Sequence, residues 1–282
     1  MSEKLCREVI SGRTDLSAEE ATHLADQFYA QQAHLPNTVD VPSEELLIVG
    51  DLHGEYQSID SVRRKLLKNK KLHFIFLGDY ADRGPQQVET FNLAMAMAMT
   101  EPERVTLLRG NHESASVAKR YGFYGAVRDR YSVDVFQHYA SVFGVLPLAA
   151  ISSDGLFCCH GGVPEGLTSR QQLDRIDRLG PDPQDEILLQ LLWNDPREGD
   201  FYFADNVRGA GTRYFGRRAF DEFLDNFGIE MMVRAHEALP EGFGLFFDGG
   251  LVSIFSASYG GSTRPRLLHL RKTGDYEILD ID

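Results

Sequence analysis

Short apolar runs that stop at a glycine beside an acid, an asparagine or a histidine recur along this chain, and they constrain its fold more than any other feature. Leu46–Val49 leads into Gly50-Asp51-Leu52-His53-Gly54, and His73–Leu77 into Gly78-Asp79-Tyr80-Ala81-Asp82-Arg83-Gly84. Val105–Leu108 precedes Gly110-Asn111-His112-Glu113, Leu156–Cys159 precedes His160-Gly161-Gly162, and Ile229–Val233 precedes Arg234-Ala235-His236. Apolar runs of this length, bounded by turn residues, read as buried strands. Ligands of open α/β sheets sit just past the carboxyl ends of the strands, so the five blocks are expected to converge. Their glycines permit the tight turns that would aim consecutive side chains into one pocket.

The converging donors point to two metal ions. Carboxylate oxygens and imidazoles suit Mn, Fe or Zn, and the absence of cysteine from the blocks argues against a structural zinc knot. Asp79 belongs to the middle block and is the natural carboxylate for both ions to share. The expected partition is Asp51, His53 and Asp79 on the first ion, with Asp79, Asn111, His160 and His236 on the second. Two ions about 3.5–4 Å apart clamp the attacking and leaving oxygens of an in-line displacement and lower the pKa of a shared water toward ~7. Taken singly, each block has an ordinary explanation: a surface turn, a core histidine, or a helix cap in the case of Asp79 and Asp82. Five blocks in order, each at a strand end, outweigh those explanations. His23, His34, His73, His138 and His269 keep the ordinary one.

A chain of 282 residues can bury a full core, and without a Pro/Gly/Ser-rich linker it reads as one domain over 1–282, with a helical segment over 1–40 packed on it. The net charge of −13 argues against a nucleic-acid surface, which needs clustered Lys and Arg. The densest basic run, Arg63 to Lys71, is read as the solvated face of a helix whose other face carries Ile59, Val62, Leu66 and Leu67. Cys158 and Cys159 are adjacent in a buried strand, point to opposite faces and are not expected to pair, and Cys6 stands alone. No apolar stretch approaches the ~18 residues of a membrane span, and the polar N-terminus is unlike a signal peptide. The expected compartment is reducing and cytoplasmic, with the nucleus left open.

Ser17 and Glu20 form a capping-box pattern for a helix that Pro36 stops. A helix from about Gln57 to Asn69 follows the first block, and Pro85 is expected to open the next at its first position. On that helix Val88, Phe91, Met95 and Met99 share a face, read as core packing. With Val105–Leu108 these elements make a βαβαβ unit of three parallel strands. Residues 114–143 read as helical, and Leu267–Leu270 with Tyr276–Leu279 as a hairpin around Thr273-Gly274. The chain is expected to close at Asp282 without a regulatory tail.

Two residues are expected to catalyse rather than ligate. His112 follows Asn111 and should point toward a leaving group, and Asp82 would orient it as a triad carboxylate does, making a general acid pair. Arg83 and Arg208, the latter in Arg208-Gly209-Ala210-Gly211, are candidates for a bidentate grip on phosphate.

These motifs, together with Tyr121-Gly122-Phe123-Tyr124, Leu192-Trp193-Asn194-Asp195-Pro196, Phe215-Gly216 and Phe255-Ser256-Ala257, resemble the phosphoprotein phosphatase family of serine/threonine phosphatases, from about Leu16 to Glu277. The resemblance implies an α/β, calcineurin-like metallophosphoesterase fold: a central β-sandwich flanked by helices, with the βαβαβ unit at the metals. It implies the metal partition above and the Asp82–His112 acid pair. Arg83, Asn111 and Arg208 would hold the phosphoryl group, and Tyr259 would overhang the substrate groove. It further implies phosphoprotein or phosphopeptide substrates, direct attack by a metal-bridging hydroxide, and room for regulatory subunits; manganese is the expected ion in vitro, with iron or zinc as other pairs. The alternative is a hydrolase of dinucleoside polyphosphates or another small phosphoester, which the first three blocks alone would fit. Where animal enzymes of that family usually read Ser-Ala-Pro-Asn-Tyr-Cys, this chain reads Ser256-Ala257-Ser258-Tyr259-Gly260, one residue shorter and without the cysteine.

Overall fold

The computed structural model describes residues 2–43 and 45–281. Asp282, where a tailless end was expected, lies outside them. Helices Ser2–Ile10 and Ala18–Gln32 open the chain. The second begins where the sequence predicts: Glu20 N donates to Ser17 Oγ at 3.2 Å and Ser17 N to the Glu20 carboxylate at 2.8 Å. The helical segment is shorter than expected, because Thr38–Val41 forms an edge strand parallel to Ala149–Ser152.

Two sheets stack as a sandwich. The first runs Asp275–Asp280, Arg266–Lys272, Leu46–Val49, His73–Phe76 and Val105–Leu107 in order across the sheet. The last three are parallel, as the βαβαβ reading requires. The second runs Thr38–Val41, Ala149–Ser152, Leu156–Cys159, Met231–Arg234, Leu251–Ile254 and Phe243–Phe246. Strand alternation sorts the residues between layers. Leu46, Ile48 and Ile75 meet Leu156, Cys158, Val233 and Val252 between the sheets. Leu47, Val49, Phe74 and Phe76 face the opposite way, onto helices Tyr56–Lys68 and Gln87–Thr100. Phe157, Cys159 and Met232 face out from the second sheet, onto helices Glu186–Trp193 and Arg217–Phe227. The result is four layers, helix, sheet, sheet, helix. Cys158 and Cys159 fall in different layers and all three cysteines are free. Burial of each large apolar side chain contributes about 1.5–3 kcal/mol.

Three further sequence expectations need correction. The helix that Pro85 was to open starts at Gln87, because Gln86 N donates to Gly54 O at 3.0 Å and holds the preceding turn against the first block. Leu67 is 47% exposed rather than part of the buried face formed by Ile59, Val62 and Leu66. The strand expected at Ile229–Val233 runs from Met231 to Arg234. Among the described residues no helix is long and apolar enough to cross a membrane.

The strands Leu46–Val49, His73–Phe76 and Val105–Leu107 of one sheet, and Leu156–Cys159, Met231–Arg234 and Leu251–Ile254 of the other, are parallel within their sheets. Their carboxyl ends meet on one edge of the sandwich, where Asp51 and Phe255 form an isolated parallel bridge between the sheets. All five blocks emerge there.

Candidate active site

The blocks are tied to one another before they are tied to any ligand. Leu52 N and His53 N both donate to Asp79 O, at 3.0 and 2.9 Å, and Gly54 N donates to Tyr80 O at 2.9 Å. His112 N donates to Asp79 Oδ1 and His236 N to Asp51 Oδ1, each at 2.9 Å. Gly78 and Gly110 lie so close that a Cβ on Gly78 would enter the Gly110 backbone, which explains both glycines. Six of the nine non-glycine residues with positive φ among the described residues belong to this edge: His53, Asp79, Asp82, Arg83, His236 and Tyr259. Such conformations persist only where the surroundings over-determine them, and they cluster at functional sites.

Two groups of side chains are spaced to hold a cation. His53, Asp79 and His112 form one, and Asp79, His160 and His236 the other, with ligand atoms within 4.8 Å of each other in each group. Asp79 is common to both. Asp51 reaches the first group, with its Oδ2 3.5 Å from His53 Nε2, and Asn111 reaches the second, with its Oδ1 2.7 Å from His160 Nε2. His112 enters the first group through Nε2, 4.0 Å from Asp79 Oδ2, while its Nδ1 lies 2.6 Å from Asp82 Oδ2. All the residues expected as ligands or as the acid pair are thus brought to one edge, and all are buried.

The donor chemistry fits a cation. His160 Nδ1 lies 2.9 Å from Leu77 O, so it carries the hydrogen and Nε2 offers a lone pair. Burial lowers His160 to about 3, leaving it neutral at pH 7. Its Nε2 nonetheless faces Asn111 Oδ1 at 2.7 Å, His236 Nδ1 at 3.2 Å and Asp79 Oδ1 at 3.5 Å. Likewise His53 Nδ1 lies 3.1 Å from Ala81 O, which turns Nε2 toward Asp51 and Asp79. Asp51 Oδ2 is buried without a hydrogen-bond partner. Asp79 is pushed well above the usual carboxylate range by burial, and next by the charges of Asp51 and Glu113. Lone pairs and negative charge gathered out of water repel one another unless a cation sits among them. The residues present fit divalent ions held by hard oxygens and imidazoles.

Around this centre stand groups whose role the sequence reading missed. Glu113 accepts from Asp79 N, Tyr80 N and Gly110 N at 2.7, 3.1 and 2.9 Å, so its carboxylate shapes the turn that presents Asp79. Burial raises Glu113 to about 7 against those three donors. Asp195 receives Arg208 through Nε at 2.5 Å and Nη2 at 3.2 Å, and also the buried Arg234 at 3.1 Å. A fork held at both prongs keeps Arg208 over the cleft. The signal was present, since Glu113, Asp195 and Arg234 each stand within a quoted motif. Arg83 lies 4.0 Å over the Tyr121 ring, and the Tyr259 ring is 5.4 Å from that of His53. A cavity of about 330 Å³ covers the two groups, with Arg83, Arg208, Trp193 and Tyr259 on its walls. The two arginines on its walls suit an anionic group.

Residues 45–240 match the calcineurin-like phosphoesterase family. The chain belongs to that family. The phosphoesterase is 38% identical over 220 residues to the serine/threonine-protein phosphatase 4 catalytic subunits of Saccharomyces cerevisiae and Candida glabrata, a span of 78% of this chain and 70% of each relative. Among solved structures it is similar to a protein serine/threonine phosphatase from Saccharomyces cerevisiae, described as similar to human phosphatase PP5: TM-score 0.84, 27% identity, and 94% and 90% of the two chains covered. A cold-active protein-tyrosine phosphatase from a Shewanella species shares the fold, at TM-score 0.61 and 19% identity over 88% and 84% of the chains. The β-sandwich flanked by helices is therefore the family's fold, and divalent metal ions are the family's cofactor.

Proposed function

We infer that this phosphoesterase is a metal-dependent serine/threonine protein phosphatase with two ions at the Asp79 edge. The observation that carries the reading is the pair of buried His/Asp groups that share Asp79, one of which includes a histidine bound through Nδ1 to the buried Asp82 carboxylate. Asp51, His53 and Asp79 would hold one ion, and Asp79, Asn111, His160 and His236 the other. When bound, the ions supply Lewis-acid polarisation of the phosphoryl oxygens and an activated water nucleophile at neutral pH.

The chain's own residues supply the rest. Arg208, fixed by Asp195, and Arg83, stacked on Tyr121, would clamp the phosphoryl oxygens together with the Asn111 side chain. His112, protonated on both nitrogens with the Asp82 carboxylate balancing its charge against the cost of burial, would give its Nε2 proton to the departing seryl or threonyl oxygen as the phosphorus–oxygen bond breaks, leaving a neutral ring that keeps its Nδ1 hydrogen. Asp82 fixes the ring for that transfer: Oδ2 accepts from His112 Nδ1 and Oδ1 accepts from Phe123 N at 2.7 Å. The likeness to relatives named serine/threonine phosphatases supports the substrate class, and their description as catalytic subunits supports a chain that works with regulatory partners.

The test is phosphate release from a phosphothreonine peptide beside cleavage of diadenosine tetraphosphate, each with Mn²⁺ and after chelation. Strong metal-dependent release from the peptide is expected. Cleavage of the dinucleotide without the peptide would overturn the substrate class and leave only the metal chemistry.

A further inference from the structure

Glu55 occupies the N-cap position of the helix Tyr56–Lys68, where an acid ordinarily accepts from the first N–H groups of its own helix, yet its side chain makes no capping hydrogen bond. The carboxylate reaches instead to the far end of the chain: Oε2 accepts from Ser258 N at 2.5 Å and from Ser258 Oγ at 3.0 Å. Ser258 opens the turn Tyr259–Gly261, in which all three residues have positive φ. The turn is closed internally, with Gly261 N and Thr263 N donating to Ser258 O at 2.9 and 3.1 Å and Ser262 Oγ donating to Tyr259 O at 2.8 Å. The Glu55 tie joins the start of this closed turn to the wall that carries His53.

Tyr259 stands at a boundary. It lines the cavity over the ligand groups and also an adjoining groove of about 610 Å³, whose other side is Tyr56, Gln57, Pro85 and Gln86. His53 and Arg83 border both spaces as well. The groove therefore adjoins the place where a phosphoryl group would sit, and Tyr259 stands with His53 and Arg83 on the border that chain flanking a phosphoresidue would pass.

We propose that Glu55 is a positioning residue for the substrate: by holding Ser258 it stations the Tyr259 ring between cleft and groove, and so sets how a phosphopeptide is seated. The role goes beyond the phosphatase reading but rests on it for its substrate. It also gives the shortened Ser256–Gly260 segment a means of staying over the cleft.

Two substitutions test it, in full-length protein loaded with Mn²⁺. Glu55→Ala removes both acceptor oxygens, and Glu55→Gln keeps one for Ser258 N. For Glu55→Ala the KM for a phosphothreonine peptide is expected to rise on the order of fivefold more than that for p-nitrophenyl phosphate, the loss that one hydrogen bond accounts for. Glu55→Gln is expected to restore most of the peptide KM. Amide hydrogen exchange at 258–262 is expected to quicken in Glu55→Ala and to match wild type in Glu55→Gln. Wild-type exchange in Glu55→Ala, or equal KM changes for both substrates, overturns the proposal. A wild-type protein that hydrolyses neither substrate refutes the phosphatase reading, while the exchange rates still judge the Glu55 tie.

Discussion

Replacing His112 by asparagine separates general acid catalysis from every other task at this site. His112 is buried between Asp82, 2.6 Å from Nδ1, and the cleft, where Nε2 stands 4.0 Å from Asp79 Oδ2. Asparagine is shorter than histidine, and its amide N–H is far too weak an acid to protonate a leaving oxygen. Positioned proton transfer is worth roughly 10²–10⁴ in rate, or about 3–5 kcal/mol at 1.36 kcal/mol per decade. The whole of that loss is expected on a phosphothreonine peptide, because its leaving group is a strongly basic alkoxide. On p-nitrophenyl phosphate, whose weakly basic nitrophenolate leaves unaided, the loss is expected to be at least tenfold smaller, judged against the same range. Folding is spared the larger penalties, since Asp82 keeps the Phe123 N–H and loses one charge-assisted bond, about 1.5–3 kcal/mol. The assay is steady-state kcat on both substrates, with bound metal counted by elemental analysis. An equal loss on both refutes the argument, because His112 would then act on metal binding or phosphate seating. Wild-type turnover of the peptide removes it from the mechanism altogether.

Three further outcomes follow from the same geometry. Asp79→Asn is expected to abolish activity and Mn²⁺-induced stabilisation, yet to raise the melting temperature of the metal-free protein by relieving the crowding of Asp51, Asp79 and Glu113; calorimetry with and without Mn²⁺ decides, and a metal-free protein less stable than wild type refutes it. Asp195→Ala frees Arg208 and strips one partner from the buried Arg234, so kcat/KM is expected to fall about tenfold and stability by about 3 kcal/mol, the low end for a broken buried pair because Glu237 still faces Arg234 at 3.2 Å; denaturant melts showing under about 1 kcal/mol would contradict this. His73 is held down to about 4, mainly by burial, so below its unfolded value of about 6.5 the unfolded chain binds a proton that the folded one refuses; stability is lost as pH falls across that window, about 2 kcal/mol by pH 5, and His73→Gln should flatten that part of a urea-melt pH profile.

Much of this site was legible because its residues are contiguous. Asp51 and His53, Asp79 with Asp82 and Arg83, and Asn111 with His112 stand within a few positions of a strand end, so strand-plus-turn reasoning located them without any knowledge of pairing. What it did not yield depends on contacts between distant segments. Glu113 looks like one more acid after Asn111-His112, and only the fold shows its carboxylate accepting three N–H groups from two separate turns. Asp195 gained meaning from arginines 13 and 39 residues away. The strand Thr38–Val41 was hidden because Val-Asp-Val next to a proline is too short to signal a period, and its pairing partner lies over a hundred residues later. Leu67 was misplaced because a helical face read from spacing ends where the neighbouring layer ends.

The left-handed residues carry the argument a step further. Glycine announces a turn because it adopts positive φ without penalty, and the sequence reading relied on that. At His53, Asp79, Asp82, Arg83, His236 and Tyr259 the chain instead forces a bearing side chain into the same region, at roughly 1–2 kcal/mol each. A turn could be made more cheaply with glycine, but glycine has nothing to offer a ligand. The glycines therefore flank the residues that bring donor side chains to this edge rather than replace them: Gly54 follows His53, Gly78 precedes Asp79, and Gly84 follows Arg83. The backbone bonds from Leu52, His53 and Gly54 to the Asp79–Tyr80 carbonyls then hold the strained positions in place. The glycine pattern that marks this site in the sequence is thus the outline of a strain whose centre is the set of residues it surrounds.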